Sequence, residues 1–174
     1  MTQSVELLLD EASEARVRDE WDRLDEAGLP GQAQHRGDTN RPHVTMTASR
    51  GIAADAEEGL AHLCSEVLPL DAAFGGLAVF GGDPVVLVRL VVVTAELLHL
   101  HAAVAGLVAL GEDSLLRPGR WTPHVTLARR MPLDRLPAAV RALHPRGVPS
   151  AAAGVRFERA RRWDGAVRRA WLLG

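Results

Sequence analysis

The sequence predicts an α+β fold, specifically a duplicated, two-lobed domain in which each lobe is a mainly antiparallel sheet with outer helices. Two observations lead to this prediction. Segments with helical periodicity alternate with short apolar strands, and each half of the chain ends in two strands joined by a tight turn. In addition, Pro-His-Val-Thr followed by an apolar residue occurs once in each half, at 42–46 and 123–127. We expect a pseudo-twofold arrangement around a central cleft.

The duplication is inferred from a constant spacing along the chain. His43 and His124 are 81 positions apart. The same spacing relates candidate helix caps, apolar strands and turn aspartates: Ser13 and Thr94, 5–9 and 86–90, Asp83 and Asp164. A single spacing that relates helix caps, strands and turn residues indicates an internal repeat. We therefore expect a single domain over residues 1–174, with pseudo-repeats at approximately 4–83 and 85–164 and a closing strand at 167–173.

In the first half, an apolar strand at 4–9 precedes a helix at 14–27 that Gly28 and Pro30 end. Its apolar side chains, Val17, Trp21 and Leu24, recur at helical spacing. A polar loop at 31–40 leads into the first motif. Asp55 and Glu58 resemble a capping box, which predicts a second helix from there to residue 68.

Strands at 74–80 and 85–93 form a hairpin that joins the two halves. The second half then repeats the order of the first. Thr94 is the expected N-cap of a helix that runs to residue 110 and closes at Gly111. A loop at 112–121 precedes the second motif. A short helix at 137–143, stopped by Pro145, and a hairpin of strands 155–162 and 167–173 complete the chain.

Composition restricts the function classes. The chain has 174 residues, 47% hydrophobic and 24% charged, as in an ordinary globular domain. Its net charge of −2 argues against a broadly electrostatic nucleic-acid binder, so any RNA contact must be local. The single cysteine, Cys64, lies on an apolar helical stripe and is expected to be a buried thiol. With no signal segment and no apolar run of membrane-spanning length, we expect a cytoplasmic protein.

The repeated motif carries the chemistry. On a strand, the histidine and threonine of each copy point to one face, while the intervening valine and the following apolar residue point into the core. Two imidazoles at one site suit a reaction that removes one proton and delivers another, as in attack of water on phosphorus. Threonine hydroxyls one pleat away can donate hydrogen bonds to phosphate oxygens. Such a reaction needs no metal ion and no cofactor.

The paired motifs, the duplicated α+β organisation and the proline before each histidine resemble the two-histidine (2H) phosphoesterase superfamily. They resemble most of all its bacterial 2′-5′ RNA ligase (RNA 2′,3′-cyclic phosphodiesterase) branch. The resemblance covers almost the whole chain. It implies hydrolysis of a 2′,3′-cyclic phosphate to a 2′-phosphate, and in some members reversible 2′-5′ joining of RNA ends. The implied substrates are RNA 3′ ends or cyclic nucleotides; a cyclic ADP-ribose phosphate and 2′-5′-linked oligonucleotides are also compatible with the family.

The resemblance also implies roles for particular residues. His43 and His124 correspond to the catalytic pair, and Thr45 and Thr126 to the phosphate-binding hydroxyls. An arginine five residues after the second histidine contacts phosphate in the family, which gives Arg129, whereas strict strand alternation favours Arg130. Base stacking requires Phe or Trp because the chain has no Tyr. Trp121 is the candidate, with Trp163 as the alternative and core or rim packing as the competing role for Trp121.

Other readings remain open at this point. A catalytically idle RNA- or nucleotide-binding module would keep the same cleft, and the histidines would serve as ligands in a metal-dependent hydrolase, although no carboxylate stands at ligand spacing beside either motif. Surface or packing roles are expected for the remaining histidines: His35, His62, His99, His101 and His144. The arginine-rich last hairpin is expected to be a solvated sheet face. Nothing calls for an obligate protein partner, a second copy or a membrane.

Overall fold

The computed structural model describes residues 2–37, 39–144 and 153–174. Strands and helices alternate along these residues. They are β1 (Gln3–Leu9), α1 (Glu11–Glu26), β2 (His43–Ser49), α2 (Ala56–Val67), β3 (Leu70–Phe80), β4 (Val85–Val92), α3 (Ala95–Leu107), β5 (His124–Met131), α4 (Leu136–Leu143), β6 (Gly154–Asp164) and β7 (Arg169–Leu173). Short 3₁₀ turns lie at Gln32–Gln34 and Leu133–Arg135. The order strand–helix–strand–helix–strand therefore occurs twice before β7.

The strands form one antiparallel sheet in the order β1-β2-β5-β4-β3-β6-β7, with β1 also paired to β6. The last strand of each sequence half pairs with the first strand of the other, since β3 pairs with β4 and β6 pairs with β1. The predicted α+β class and antiparallel pairing are confirmed. The strand pairing crosses between the sequence halves, and the division into repeats at 4–83 and 85–164 stays a prediction.

The core lies between one face of this sheet and the helices. Alternate residues of β1 point into it, and Val5, Leu7 and Leu9 are fully buried. The helices contribute the apolar faces predicted from their periodicity, including Trp21 and Leu24 of α1. The other positions of β1 and β2 place polar side chains on the opposite face of the sheet. That opposite face is where the motif histidines lie.

The predicted start of the first helix is wrong, and the second helix starts after Asp55 as predicted but without its expected cap. α1 begins at Glu11 because Asp10 is its N-cap and accepts a 2.8 Å hydrogen bond from the backbone N–H of Ser13. Ser13 is instead buried, and its hydroxyl accepts a 3.1 Å hydrogen bond from the backbone N–H of Arg156 on β6. At α2, Asp55 makes no side-chain cap, so the expected capping box does not form. Thr94 does cap α3, accepting a hydrogen bond from the N–H of Leu97.

Helix lengths also differ from the predictions. α1 ends at Glu26, α2 at Val67 and α3 at Leu107, so Gly111 does not close α3. The short helix predicted near 137–143 is present as α4, and Pro145 lies outside the described residues. Among the described helices, none combines the length and the apolar character that crossing a membrane requires.

Candidate active site

The two motifs meet where β2 and β5 are neighbours. The strands are joined there by a single antiparallel residue pair, Val44 with Val125, and both valines are buried. Because side chains alternate, the opposite face carries the histidine and threonine of each motif. These residues are His43, Thr45, His124 and Thr126. Antiparallel register sets His43 across from Thr126 and His124 across from Thr45, so the four side chains form a compact polar group.

Each motif histidine is held by the backbone two residues before it. Nδ1 of His43 lies 2.7 Å from the carbonyl oxygen of Arg41, and Nδ1 of His124 lies 2.7 Å from that of Thr122. A carbonyl only accepts, so Nδ1 carries the proton in each ring. The prolines between donor and acceptor restrict the backbone of the preceding residue to extended conformations. Nε2 of each imidazole is thereby left available for chemistry.

The surroundings of the two histidines differ. Nε2 of His43 lies 3.8 Å from a carboxylate oxygen of Glu6. The His124 ring packs edge-to-face on Phe80, with 4.9 Å between ring centroids. Burial lowers the pKa of His124; its hydrogen bond to Thr122 acts in the opposite sense, and the charges of His43 and Arg129 lower it further. His124 is therefore predominantly neutral near neutral pH.

Glu6 is a site residue that the sequence analysis missed. It is buried on β1, accepts a 2.7 Å hydrogen bond from the hydroxyl of Ser4, and accepts a second of 2.7 Å from Nε of Arg161 on β6. Burial alone would raise the pKa of Glu6, but the charges of His43 and Arg161 together with these hydrogen bonds lower it overall. The carboxylate is therefore ionised. The only signal in the sequence was one acidic residue inside an apolar strand.

The basic last hairpin is not simply a solvated face. Arg161 and Arg162 are buried, with 6% and 3% of their surface exposed. They alternate across β6: Arg161 pairs with Glu6 beside the motifs, and Arg162 pairs with Glu57 of α2 at 3.2 Å. The expectation of a solvated arginine face fails for these two residues because each has an acidic partner from a distant segment.

A cavity of about 540 Å³ opens beside His43, toward β1 and β6. Its lining includes three of the predicted site residues, His43, Thr45 and Arg129, together with Glu6, Arg161 and Trp163. The exposed His35 also contributes to the wall. His124, Thr126 and Trp121 lie outside the lining. The two motif histidines therefore stand at one end of a cavity that extends toward the His43 side.

A β-bulge determines which arginine faces the motif histidines. Leu127 and Ala128 are consecutive and both fully buried, and the register with β4 shifts there because β5 carries an extra residue. The bulge reverses the alternation. Arg129 consequently lies on the face of His124 and lines the cavity, whereas Arg130 does not and adopts a positive φ of 58°. Strict alternation does not hold across the bulge, and Arg129, the arginine that the family resemblance implies, is the one that lines the cavity.

The same irregularity occurs in β2. Met46 and Thr47 are consecutive and buried, and the register with β1 shifts at this point. The residue that takes the place of Arg129 is then Ala48, which also lines the cavity. Only one of the two equivalent positions thus carries a cation.

Trp121 packs behind the first motif strand and lies outside the lining of the cavity. Its ring lies flat against His101, with 4.0 Å between centroids and 2° between planes, and its Nε1–H donates a 2.9 Å hydrogen bond to the carbonyl of Thr45. His101 is buried and donates to the carbonyl of Leu116 at 3.0 Å, which confirms its packing role. Trp121 therefore packs the back of the motif strand. Trp163, the alternative, is the tryptophan that lines the cavity.

Within the described ranges, no group of three or more His, Cys, Asp and Glu side chains is arranged to hold a metal ion. Structural and catalytic zinc sites commonly take three or four protein ligands. Around the cavity, His43 and Glu6 form a pair only. This face carries imidazole, hydroxyl and guanidinium groups together with the carboxylate of Glu6.

Comparison with solved structures shows the same architecture. TT0787 of Thermus thermophilus superposes with a TM-score of 0.58 at 18% identity, covering 100% of this chain and 96% of that one. A crystal structure of a phosphoesterase gives 0.57 at 13% identity, covering 99% and 95%. Usb1 of Kluyveromyces marxianus gives 0.54 at 12%, covering 99% and 97%. At such identities the likeness shows the fold alone.

Sequence comparison identifies the family. No curated protein sequence matches the chain. The family model of the 2′-5′ RNA ligase superfamily matches residues 11–166, which include both motifs and every helix described above. The chain therefore belongs to the 2′-5′ RNA ligase superfamily of 2H phosphoesterases.

Proposed function

We propose that the protein is a metal-independent phosphodiesterase that hydrolyses the 2′,3′-cyclic phosphate ends of RNA or of nucleotides to 2′-phosphates. The observation that carries the proposal is the pair of imidazoles on one sheet face, each with Nδ1 bound to a backbone carbonyl and Nε2 free. Two such nitrogens supply the base and the acid for displacement at phosphorus. Attack of a 5′-hydroxyl, in place of water, on the same phosphorus would break the bond to the 3′-oxygen and join RNA ends through a 2′-5′ linkage.

The proposed step adds one water across one P–O bond. The water oxygen attacks phosphorus in line with the 3′-oxygen while Nε2 of one histidine accepts a water proton. The bond from phosphorus to the 3′-oxygen breaks, and Nε2 of the other histidine donates a proton to that oxygen. The products are a 2′-phosphate and a 3′-hydroxyl, and proton exchange with solvent restores both rings.

His124 suits the role of base and His43 the role of acid. The lowered pKa of His124 keeps its Nε2 unprotonated and able to accept. The ionised carboxylate of Glu6, 3.8 Å from Nε2 of His43, stabilises the positive charge that a general acid carries before it donates. The two rings therefore have different neighbours, an aromatic side chain at His124 and a carboxylate at His43.

The remaining site groups bind the substrate. The hydroxyls of Thr45 and Thr126 donate hydrogen bonds to nonbridging phosphate oxygens, and the exposed Arg129 guanidinium supplies a charge-assisted contact. Trp163 offers a ring on which the base next to the phosphate stacks, and it is paired with Ser4 on β1. Support for these roles is the sheet face that the two threonines share and the cavity that Thr45, Arg129 and Trp163 line.

The decisive experiment presents the protein with a panel of substrates: RNA ending in a 2′,3′-cyclic phosphate, cyclic nucleotides, a cyclic ADP-ribose phosphate and 2′-5′-linked oligonucleotides. Products are identified with and without a chelator. We expect cyclic phosphates to open to 2′-phosphates at rates that the chelator does not alter. Loss of activity on chelation would favour a metal-dependent hydrolase, and tight binding of a cyclic nucleotide without hydrolysis would favour a binding module.

Variants separate catalysis from folding. His43→Ala and His124→Ala should each lower kcat by about 10²–10⁴, the usual contribution of general acid–base catalysis. His62→Ala is the matched control because His62 is exposed on α2, where it pairs only with Glu66 of the same helix. Normal turnover in both motif variants would refute the mechanism, provided that circular dichroism shows all three proteins folded.

A further inference from the structure

The Glu6–Arg161 ion pair is oriented relative to His43. The carboxylate lies on the Nε2 side of the ring, with 3.8 Å between Oε1 of Glu6 and that nitrogen. The guanidinium lies on the Nδ1 side, with 3.5 Å between Nη2 of Arg161 and Nδ1. Since the Nδ1 proton is already donated to Arg41, the negative end of the pair faces the nitrogen that meets the substrate.

The position of the guanidinium is fixed away from that nitrogen. Nε of Arg161 donates to Glu6, and Nη1 donates a 3.1 Å hydrogen bond to the carbonyl of Thr39 in the loop before β2. Glu6 in turn is held by the hydroxyl of Ser4. These contacts hold the guanidinium on the Nδ1 side of the ring and the carboxylate on the Nε2 side, and both members of the pair line the cavity.

The carboxylate is present on one side of the motif pair only. On β1, Glu6 pairs across the ladder with Thr45. The residue on β4 that pairs with Thr126 is Val88, which is buried and uncharged. Beyond it, Phe80 packs on His124. The negative charge therefore lies only on the His43 side of the motif pair, which is the side of the cavity. At the corresponding position on the His124 side the sheet carries a valine.

We propose that Glu6 is a specificity-determining residue that disfavours phosphate dianions, weakening the binding of the phosphomonoester product relative to the phosphodiester substrate. The proposal rests on the proposed function. A cyclic phosphodiester carries one negative charge, whereas a monoester, with a second pKa of about 6, carries nearly two at about pH 8. A fixed anion beside the phosphate site repels the second charge as well as the first. The phosphomonoester product therefore binds more weakly than the phosphodiester substrate, and it dissociates faster.

The variant Glu6→Gln tests this directly, because glutamine keeps the shape and the acceptor oxygen but removes the charge. At about pH 8 we expect a nucleoside 2′-monophosphate to inhibit the variant about tenfold more strongly than the wild type. The KM for the corresponding 2′,3′-cyclic nucleotide should change by less than about threefold. The ratio of the inhibition constant to KM is the quantity that reports charge discrimination.

Glu57→Gln is the matched control. Glu57 pairs with Arg162, the neighbour of Arg161 whose side chain lies on the other face of β6, so the same charge is removed from a similar ion pair away from the cavity. The control should leave the ratio of inhibition constant to KM unchanged. An unchanged ratio in Glu6→Gln, or an equal change in both variants, would overturn the proposal.

A measurement on the wild-type protein keeps the proposal falsifiable if Glu6→Gln does not fold. Calorimetry at about pH 8 compares a nucleoside 2′-monophosphate with its methyl ester, which has nearly the same shape and one charge fewer. The methyl ester should bind at least as tightly as the monoester, and a monoester that binds about tenfold tighter would overturn the proposal. Both ligands are used as their 3′-deoxy forms, which cannot close to a 2′,3′-cyclic phosphate, so this result is independent of whether the cyclic phosphodiesterase activity itself is observed.

Discussion

The indole N–H of Trp121 donates a 2.9 Å hydrogen bond to the backbone carbonyl of Thr45. Trp21 of α1 does the same for the other motif, with 3.0 Å between its Nε1 and the carbonyl oxygen of Thr126. β2 and β5 share only one residue pair, so these carbonyls need partners from outside the ladder between them. Two indoles on the core side therefore fix the backbone of both motif threonines, whose hydroxyls lie on the face of the motif histidines.

The first prediction separates the two tryptophan roles. Trp121→Phe keeps an aromatic ring but leaves the carbonyl of Thr45 without its donor, so the free energy of unfolding should fall by about 1–3 kcal/mol. Trp163→Ala should instead raise KM for an RNA substrate by about tenfold, because stacking contributes about 1–3 kcal/mol per base. Urea unfolding and steady-state kinetics on both variants measure these effects. If Trp121→Phe raised KM at unchanged stability, Trp121 would be the stacking platform after all.

Local patterns in the sequence were sufficient to predict the motif strands. Alternation along a strand depends on neighbouring residues only, which is why the buried valines and the shared face of His43 and Thr45 could be read directly. The antiparallel α+β class followed from helical periodicity and turns. The helix starts were harder to predict: Asp10 and Ser13 are both good capping residues, and only the contact of Ser13 with Arg156 on β6 decides between them.

What sequence reasoning missed depends on contacts between distant segments. Glu6 and Arg161 are 155 positions apart, and neither forms an ion pair within its own strand. The strand order that brings β6 against β1 makes them a pair. Similarly, the bulge that selects Arg129 arises where β5 carries an extra residue against β4, and nothing in the sequence of β5 marks it. Such features become predictable only once the pairing of strands is known.

A second prediction concerns the arginines after the second motif. Arg129→Ala should lower kcat/KM by about 10–100-fold, because a charge-assisted hydrogen bond contributes about 1.5–3 kcal/mol. Arg130→Ala is the matched control: it removes the same charge one position away, from a side chain that does not line the cavity. Kinetics on a cyclic nucleotide compare the two. A larger loss in Arg130→Ala would mean that strict alternation, and not the bulge, sets the substrate-facing side.

The third prediction is a pH dependence set by Phe80. Burial is the main cause of the lowered pKa of His124, and Phe80 covers its ring. With His124 as the base, kcat/KM should fall on the acid side as His124 becomes protonated, at a pH below the ordinary histidine value of about 6.5. Phe80→Ala admits water to the ring, so the acid limb should move to higher pH.

The control for this shift is Val79→Ala, since Val79 is exposed on the same strand. Its pH profile should match that of the wild type. The free energy of unfolding should also fall as the pH is lowered below about 6.5. In that range the unfolded chain binds a proton at His124 more readily than the native protein does. An acid limb that Phe80→Ala leaves in place would assign the limb to a different group.

The last prediction concerns Cys64 on α2. The side chain is 1% exposed, and burial raises the pKa of the thiol to about 11, so little thiolate exists at neutral pH and none of it is accessible. A thiol reagent should therefore leave the native protein unmodified and react with one equivalent in denaturing urea. Ser65→Cys is the matched control, because residue 65 is exposed one position along the same helix and should add one rapidly reacting equivalent. Fast reaction of the unsubstituted native protein would mean that α2 opens readily from the sheet, because Cys64 becomes accessible only when that packing is lost.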